Sequence, residues 1–148
     1  IKQKKIILLD SISDPGNLGS MIRTADWFGV KSLYISKNCV DIFNPKVVQA
    51  TMGSLSRVKI YSSLDLEAIL IRMKQNNINL YGASLSGTSI YKLKKDTQCA
   101  IVFGSESHGI NIKIQNLIDT HLLIPPEGEF IDSLNVSVAF GIILSEFR

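Results

Sequence analysis

Cysteine and histidine are scarce in the 148 residues: Cys39 and Cys99 are the only thiols, and His108 and His121 the only imidazoles. No CxxC pair, HExxH pattern or His-rich tract occurs, so the usual zinc and dithiol patterns are absent and no metal is expected. Cys99 opens an apolar run and reads as a small buried hydrophobe, and such thiol usage suits a reducing cytoplasm. No signal peptide is visible, and no unbroken apolar run approaches the ~20 residues of a membrane span. Charge of one sign is also in short supply. Sixteen basic residues against 13 acidic ones leave +3, compatible with an anionic partner without requiring one. No Ser-His-Asp or Cys-His set has a recognisable spacing, which leaves covalent nucleophilic catalysis without support. The one glycine-bracketed loop is not GxGxxG and lacks the P-loop lysine, so dinucleotide and nucleoside-triphosphate sites lose ground.

What is present is one domain's worth of chain, 45% hydrophobic and 20% charged, without low-complexity tracts or internal repeats. Lysines cluster at Lys2, Lys4 and Lys5 and again at Lys92, Lys94 and Lys95. Each cluster reads equally as a solvated patch or as a nucleic-acid contact. Continuous apolar runs at Ile6–Leu9, Val30–Ile35, Val58–Tyr61, Leu80–Ala83, Ala100–Phe103 and Leu122–Ile124 read as strands covered on both faces. Between them lie helical patterns. Leu18–Phe28 has Asn17 as its expected N-cap, Asn44-Pro45 starts a second helix, and Leu64–Asn76 is amphipathic. A short helix is expected around Ile110–Ile118. Strands alternating with helices predict an α/β fold with a mostly parallel sheet flanked by helices. The chain opens on Ile and its last residues read as a helix without a capping residue, as expected of part of a longer polypeptide.

Three loops follow strands directly and should project from the carboxyl edge of the sheet, where open α/β folds bind ligands. Asp10–Asn17 turns at Asp14-Pro15-Gly16. Gly104–Gly109 (GSESHG) lets backbone approach a ligand closely. Pro125–Ser133 ends a strand stiffly and leads into the apolar helix of Leu134–Phe147, which either Ser133 or Asn135 could cap while the other faces a ligand. Glu106 stands in the second loop as a functional candidate. His108 beside it has the pKa of a general base, while His121 reads as structural.

Together these loops resemble the three motifs of the SpoU/TrmH family of RNA ribose 2′-O-methyltransferases, within the SPOUT superfamily. Asn17-Leu18-Gly19-Ser20-Met21-Ile22-Arg23-Thr24-Ala25 is similar to the first. Val102-Phe103-Gly104-Ser105-Glu106-Ser107-His108-Gly109 is similar to the second, and Ile124-Pro125-Pro126 through Ser133-Leu134-Asn135-Val136-Ser137-Val138-Ala139 to the third. Their order and spacing match over nearly the whole chain, with two departures: Pro126 replaces the usual Met, and the loop to Ser133 is one residue longer. The resemblance implies a C-terminal deep trefoil knot, a homodimer with the site formed across it, and S-adenosylmethionine as cofactor. It implies cofactor contacts at Gly104, Ile124 and Leu134, shared by Ser133 and Asn135, and an active site of Asn17, Arg23, Glu106, Ser133 and Asn135. The implied substrate is RNA, ribosomal before transfer RNA, and the implied neighbour is an RNA-binding domain ahead of this one. A non-catalytic RNA- or nucleotide-binding module and a dimerisation scaffold are the competing classes.

Overall fold

Alternation along each strand decides which side chains meet which layer of helices. The computed structural model describes residues 4–148, so Lys2 of the first basic cluster lies outside the described residues. Seven strands, β1 (Lys4–Leu9), β2 (Ser32–Ser36), β3 (Lys59–Leu64), β4 (Asn79–Ser84), β5 (Thr88–Ser89), β6 (Gln98–Phe103) and β7 (Thr120–Leu123), form one sheet. Their order is β3-β2-β1-β6-β4-β7-β5, and every pairing is parallel. The helices are α1 (Pro15–Trp27), α2 (Pro45–Thr51), α3 (Leu66–Gln75), α4 (Ile112–Gln115) and α5 (Val136–Glu146).

Ile7 and Leu9 of β1, with Ile101 and Phe103 of β6, share one core with Leu18, Met21 and Ile22 of α1, Val47 of α2 and Phe140, Ile143 and Leu144 of α5. Leu8, Ala100 and Val102 point the other way, into a core with Leu66 and Leu70 of α3 and Ile114 of α4. The α/β sandwich expected from the apolar runs is therefore present, with α1, α2 and α5 on one side and α3 and α4 on the other. Phe103 packs on Phe140 at 4.7 Å and Tyr81 on Phe147 at 5.5 Å, anchoring the final helix to the sheet.

Several boundaries differ from the sequence reading. α1 begins at Pro15 with Asp14 as N-cap, its carboxylate accepting the Asn17 N–H at 2.8 Å. Asn17 therefore sits inside the first turn instead of capping it. An acidic cap followed by Pro at N1 is the stronger start, and it frees the Asn17 side chain. α3 begins at Leu66 behind the Asp65 cap, because Leu64 still belongs to β3. β5 is two residues long, too short for periodicity to reveal. Cys99 is fully buried, as its apolar neighbours suggested.

Gly19 is where α1 meets α2: a Cβ there would lie 2.4 Å from the Ala50 Cβ and 2.8 Å from the Val47 carbonyl oxygen. Gly19→Ala should therefore cost about 1–3 kcal/mol in urea unfolding, since two helix backbones must part. The Asp119 carboxyl supplies a second test. It accepts from Lys74 at 2.8 Å and from the Leu80 amide at 2.9 Å. Burial pushes its pKa up, but the bonds from Lys74 and Leu80 outweigh this and hold it below the ordinary aspartate value. A group depressed on folding stabilises above its unfolded pKa and loses that contribution as pH falls through the folded one. Asp119→Asn should thus flatten the acid limb of the stability–pH curve while lowering stability at neutral pH.

Candidate active site

The carboxyl ends of β6, β4 and β7 lie side by side, and the loops that leave them wall a cavity of about 660 Å³. Gly104 forms its floor because no side chain fits there: a Cβ would stand 2.2 Å from the Gly109 carbonyl carbon and 2.3 Å from the Ile110 nitrogen. The segment folds back on itself. The Ser105 and Gly109 backbones exchange hydrogen bonds at 3.2 and 2.9 Å, the Ser105 hydroxyl accepts the His108 N–H at 3.1 Å, and Gly109 takes φ +66°. Glu106 is thereby held at the tip, aimed at the start of α5.

Asn135 caps α5. Its Oδ1 accepts the Ser137 and Val138 N–H groups at 3.0 and 3.3 Å. Its Nδ2 donates both protons, to Glu106 Oε1 at 2.7 Å and to Asn17 Oδ1 at 3.0 Å. The Val136 N–H also donates to Glu106 Oε1, at 3.0 Å. One carboxylate oxygen thus takes a charge-assisted pair at a helix N-terminus, a placement worth about 0.3–1 kcal/mol from the helix dipole alone. Glu106 Oε2 and Asn17 Nδ2 have no hydrogen bond among the described residues, which leaves an acceptor and a donor for a ligand.

Of the residues singled out in the sequence, Gly104, Glu106, Ile124, Ser133 and Leu134 line the cavity. Asn135 joins it through Glu106, and Asn17 through Asn135. Of the two cap candidates Asn135 does the capping, while Ser133 stays exposed on the cavity wall. Arg23 is not brought to this cavity. It lies exposed on α1, six residues beyond Asn17 and so about 9 Å further along the helix, without a hydrogen bond or ion pair among the described residues. His108 and His121 both border the cavity. His121 sits within β7, so it is part of the wall and not merely a residue ahead of a strand. Sequence reasoning missed Ser84, Leu85, Gln115 and Ile131, which also line it. Ser84 ends β4 and Leu85 follows it just as Gly104 follows β6, a strand-end position that could have pointed to them. Among the described residues no group of three His, Cys, Asp or Glu side chains comes together to hold a metal, and no helix is long and apolar enough to cross a membrane.

The family model of the SpoU rRNA Methylase family matches residues 4–145. The 23S rRNA (guanosine(2553)-2′-O)-methyltransferase RlmP of Bacillus subtilis is 30% identical over 146 residues, covering 98% of this chain and 58% of its own length. Among solved structures, one from Porphyromonas gingivalis assigned to the TrmH family of RNA methyltransferases superimposes with a TM-score of 0.93 at 38% identity, over 100% of this chain and 60% of that one. The SpoU methyltransferase AviRb of Streptomyces viridochromogenes, solved with AdoMet, gives a TM-score of 0.88 at 27% identity, over 99% of this chain and 57% of that one. The chain spans somewhat over half the length of the curated relatives it matches.

Asn and Asp cap helices about equally well, so Asn135→Asp isolates the bridge from the cap. The new carboxylate would face Glu106 Oε1, and one of the two would protonate well above the ordinary carboxylate range. The variant should melt below the parent at pH ~7 and close much of that gap by pH ~5, as protonation relieves the repulsion. Thermal unfolding across that range checks it.

Proposed function

The chain belongs to the SpoU rRNA Methylase family, and from that premise we propose that it transfers a methyl group from S-adenosylmethionine to a ribose 2′-hydroxyl in RNA, with ribosomal RNA as the substrate. The observation that carries this is the Glu106–Asn135–Asn17 bridge at the mouth of a cavity whose glycine floor and apolar walls suit a nucleoside-sized ligand. Gly104, Ile124, Leu134, Ser133 and Asn135 would hold that cofactor, and Asn17, Arg23, Glu106, Ser133 and Asn135 would serve the ribose. The choice of ribosomal over transfer RNA draws on the Bacillus relative's named substrate.

S-adenosylmethionine, when bound, supplies a methyl group on a sulfonium centre. The chain's own residues must then align the 2′-oxygen and help its proton leave, so positioning dominates. Glu106 Oε2, fixed by the two bonds to its sister oxygen, accepts the hydroxyl proton's hydrogen bond, and Asn17 Nδ2 donates to the sugar or phosphate. Arg23 does not serve as the base: deprotonating a guanidinium at pH 7 costs about 7–9 kcal/mol. It grips the RNA phosphate through its planar fork and favours negative charge developing on the 2′-oxygen.

Because Arg23 lies away from its own chain's cavity, the reading includes a homodimer in which α1 of one copy completes the site of the other. Trp27, 84% exposed one turn beyond Arg23, and Val138 in the first turn of α5 supply apolar surface for that contact. The same reading has the segment after β7 thread a deep trefoil knot. Mapping 2′-O-methyl sites in RNA from cells lacking the gene should reveal one missing ribose methylation, restored by the full-length protein. Unchanged methylation in ribosomal and transfer RNA overturns the proposal. Arg23→Lys should lower kcat by about 100-fold, since an ammonium cannot reproduce the planar contact. Mixing Arg23→Ala with Glu106→Ala chains should restore about a quarter of the activity through heterodimers carrying one intact site.

A further inference from the structure

We propose that Asp10 is a positioning residue for the methyl-donor cavity, acting through the backbone of the 104–111 loop; this rests on the methyl-donor reading above. Asp10 closes β1 and is only 4% exposed, yet it forms no ion pair among the described residues. A carboxylate buried in that way is costly unless hydrogen bonds satisfy it. Its Oδ2 accepts the Asn111 N–H at 3.0 Å, its Oδ1 accepts the Ser11 hydroxyl at 3.2 Å, and its own N–H extends the sheet to the Phe103 carbonyl at 2.8 Å.

The bond to Asn111 links residues 101 positions apart, and its location gives it consequence. Gly109 and Ile110, immediately before Asn111, form the backbone that sits on Gly104, with 2.2–2.4 Å between their atoms and the place a Gly104 Cβ would take. Asp10 itself does not line the cavity, whereas Gly104, Gly109 and Ile110 do. The carboxylate therefore fixes the height at which the returning loop crosses the sheet edge, and with it the depth of the cavity floor. A purely packing role would be filled at lower desolvation cost by an amide or an apolar side chain. The charge-assisted bond holds one particular backbone amide in place.

Calorimetry with S-adenosylmethionine, steady-state kinetics and thermal melting on the full-length protein test this. Asp10→Ala should raise the donor's Kd and KM about tenfold while kcat at saturating donor stays within about twofold. Asp10→Asn keeps one oxygen facing the Asn111 N–H and should hold both constants within about threefold of the parent. A lower Tm with unchanged donor affinity, or a fall in kcat without a change in KM, overturns the positioning role. Should Asp10→Ala not fold, Asn111→Pro removes the donor at a φ of −53° that Pro accepts. Asn111→Ala, which loses only the α4 cap on Lys113, is its control and should leave the donor's Kd near the parent value. Asn111→Pro must show the same rise in Kd, and an unchanged value overturns the role equally. A parent protein that does not bind S-adenosylmethionine would instead overturn the methyl-donor reading, and this inference with it.

Discussion

One side-chain amide holds the carboxyl edge of this molecule together. Asn135 spends its oxygen on the first turn of α5 and both protons of its nitrogen on Glu106 and Asn17. Every hydrogen-bonding group of that amide is committed, so it has one orientation only, and three segments distant in sequence inherit it. The start of α1, the loop after β6 and the start of the last helix cannot shift independently. A site that must align two reacting groups gains from such fixity, because no ordering remains to be done when ligands arrive.

Strand order makes this meeting geometrically cheap. β6 lies between β1 and β4, so the GSESHG turn leaves the sheet with the α1 loop on one side and the cavity on the other. Glu106 sits at that boundary: its Oε1 faces the amide bridge, and its Oε2 is left for whatever occupies the cavity. The glycines at 104 and 109 let the turn close tightly enough to put it there. Polar grip and apolar pocket thus share one residue, and a ligand spanning both would be read at two chemically different ends.

Much of this was legible in the residues themselves. Apolar runs gave every strand but β5, and three loops with polar tips after strands were enough to suggest where a site would form. The errors have physical causes. Asp14-Pro15-Gly16 satisfies the chemistry of a tight turn and of a helix start equally well, and only the 2.8 Å bond to Asn17 decides between them. That choice mattered, since it frees the Asn17 side chain from its own helix, and its Oδ1 accepts from Asn135 at 3.0 Å instead. Ser133 and Asn135 were indistinguishable as caps because both side chains can accept a backbone N–H. Ser84 and Leu85 escaped notice because nothing in their chemistry distinguishes a cavity wall from an ordinary strand end. Arg23 lies exposed on α1, away from its own chain's cavity, which is compatible with the expectation of a site formed across a homodimer.

The pairing of β1 with β6 bears on how the chain is made. Lys4 lies opposite Gln98 and Leu9 opposite Phe103, so β1 leaves the ribosome long before its second neighbour exists. β1, β2 and β3 with α1 and α2 form a contiguous block that can collapse early, with β1 as a bare apolar edge. That edge stays unsatisfied until β6 (Gln98–Phe103) has been translated, well after β3 ends at Leu64, which leaves the nascent half-sheet exposed to mispairing with neighbours on a polysome. β1, flanked on both sides by β2 and β6 in the finished molecule, thus passes through its synthesis with one side bare.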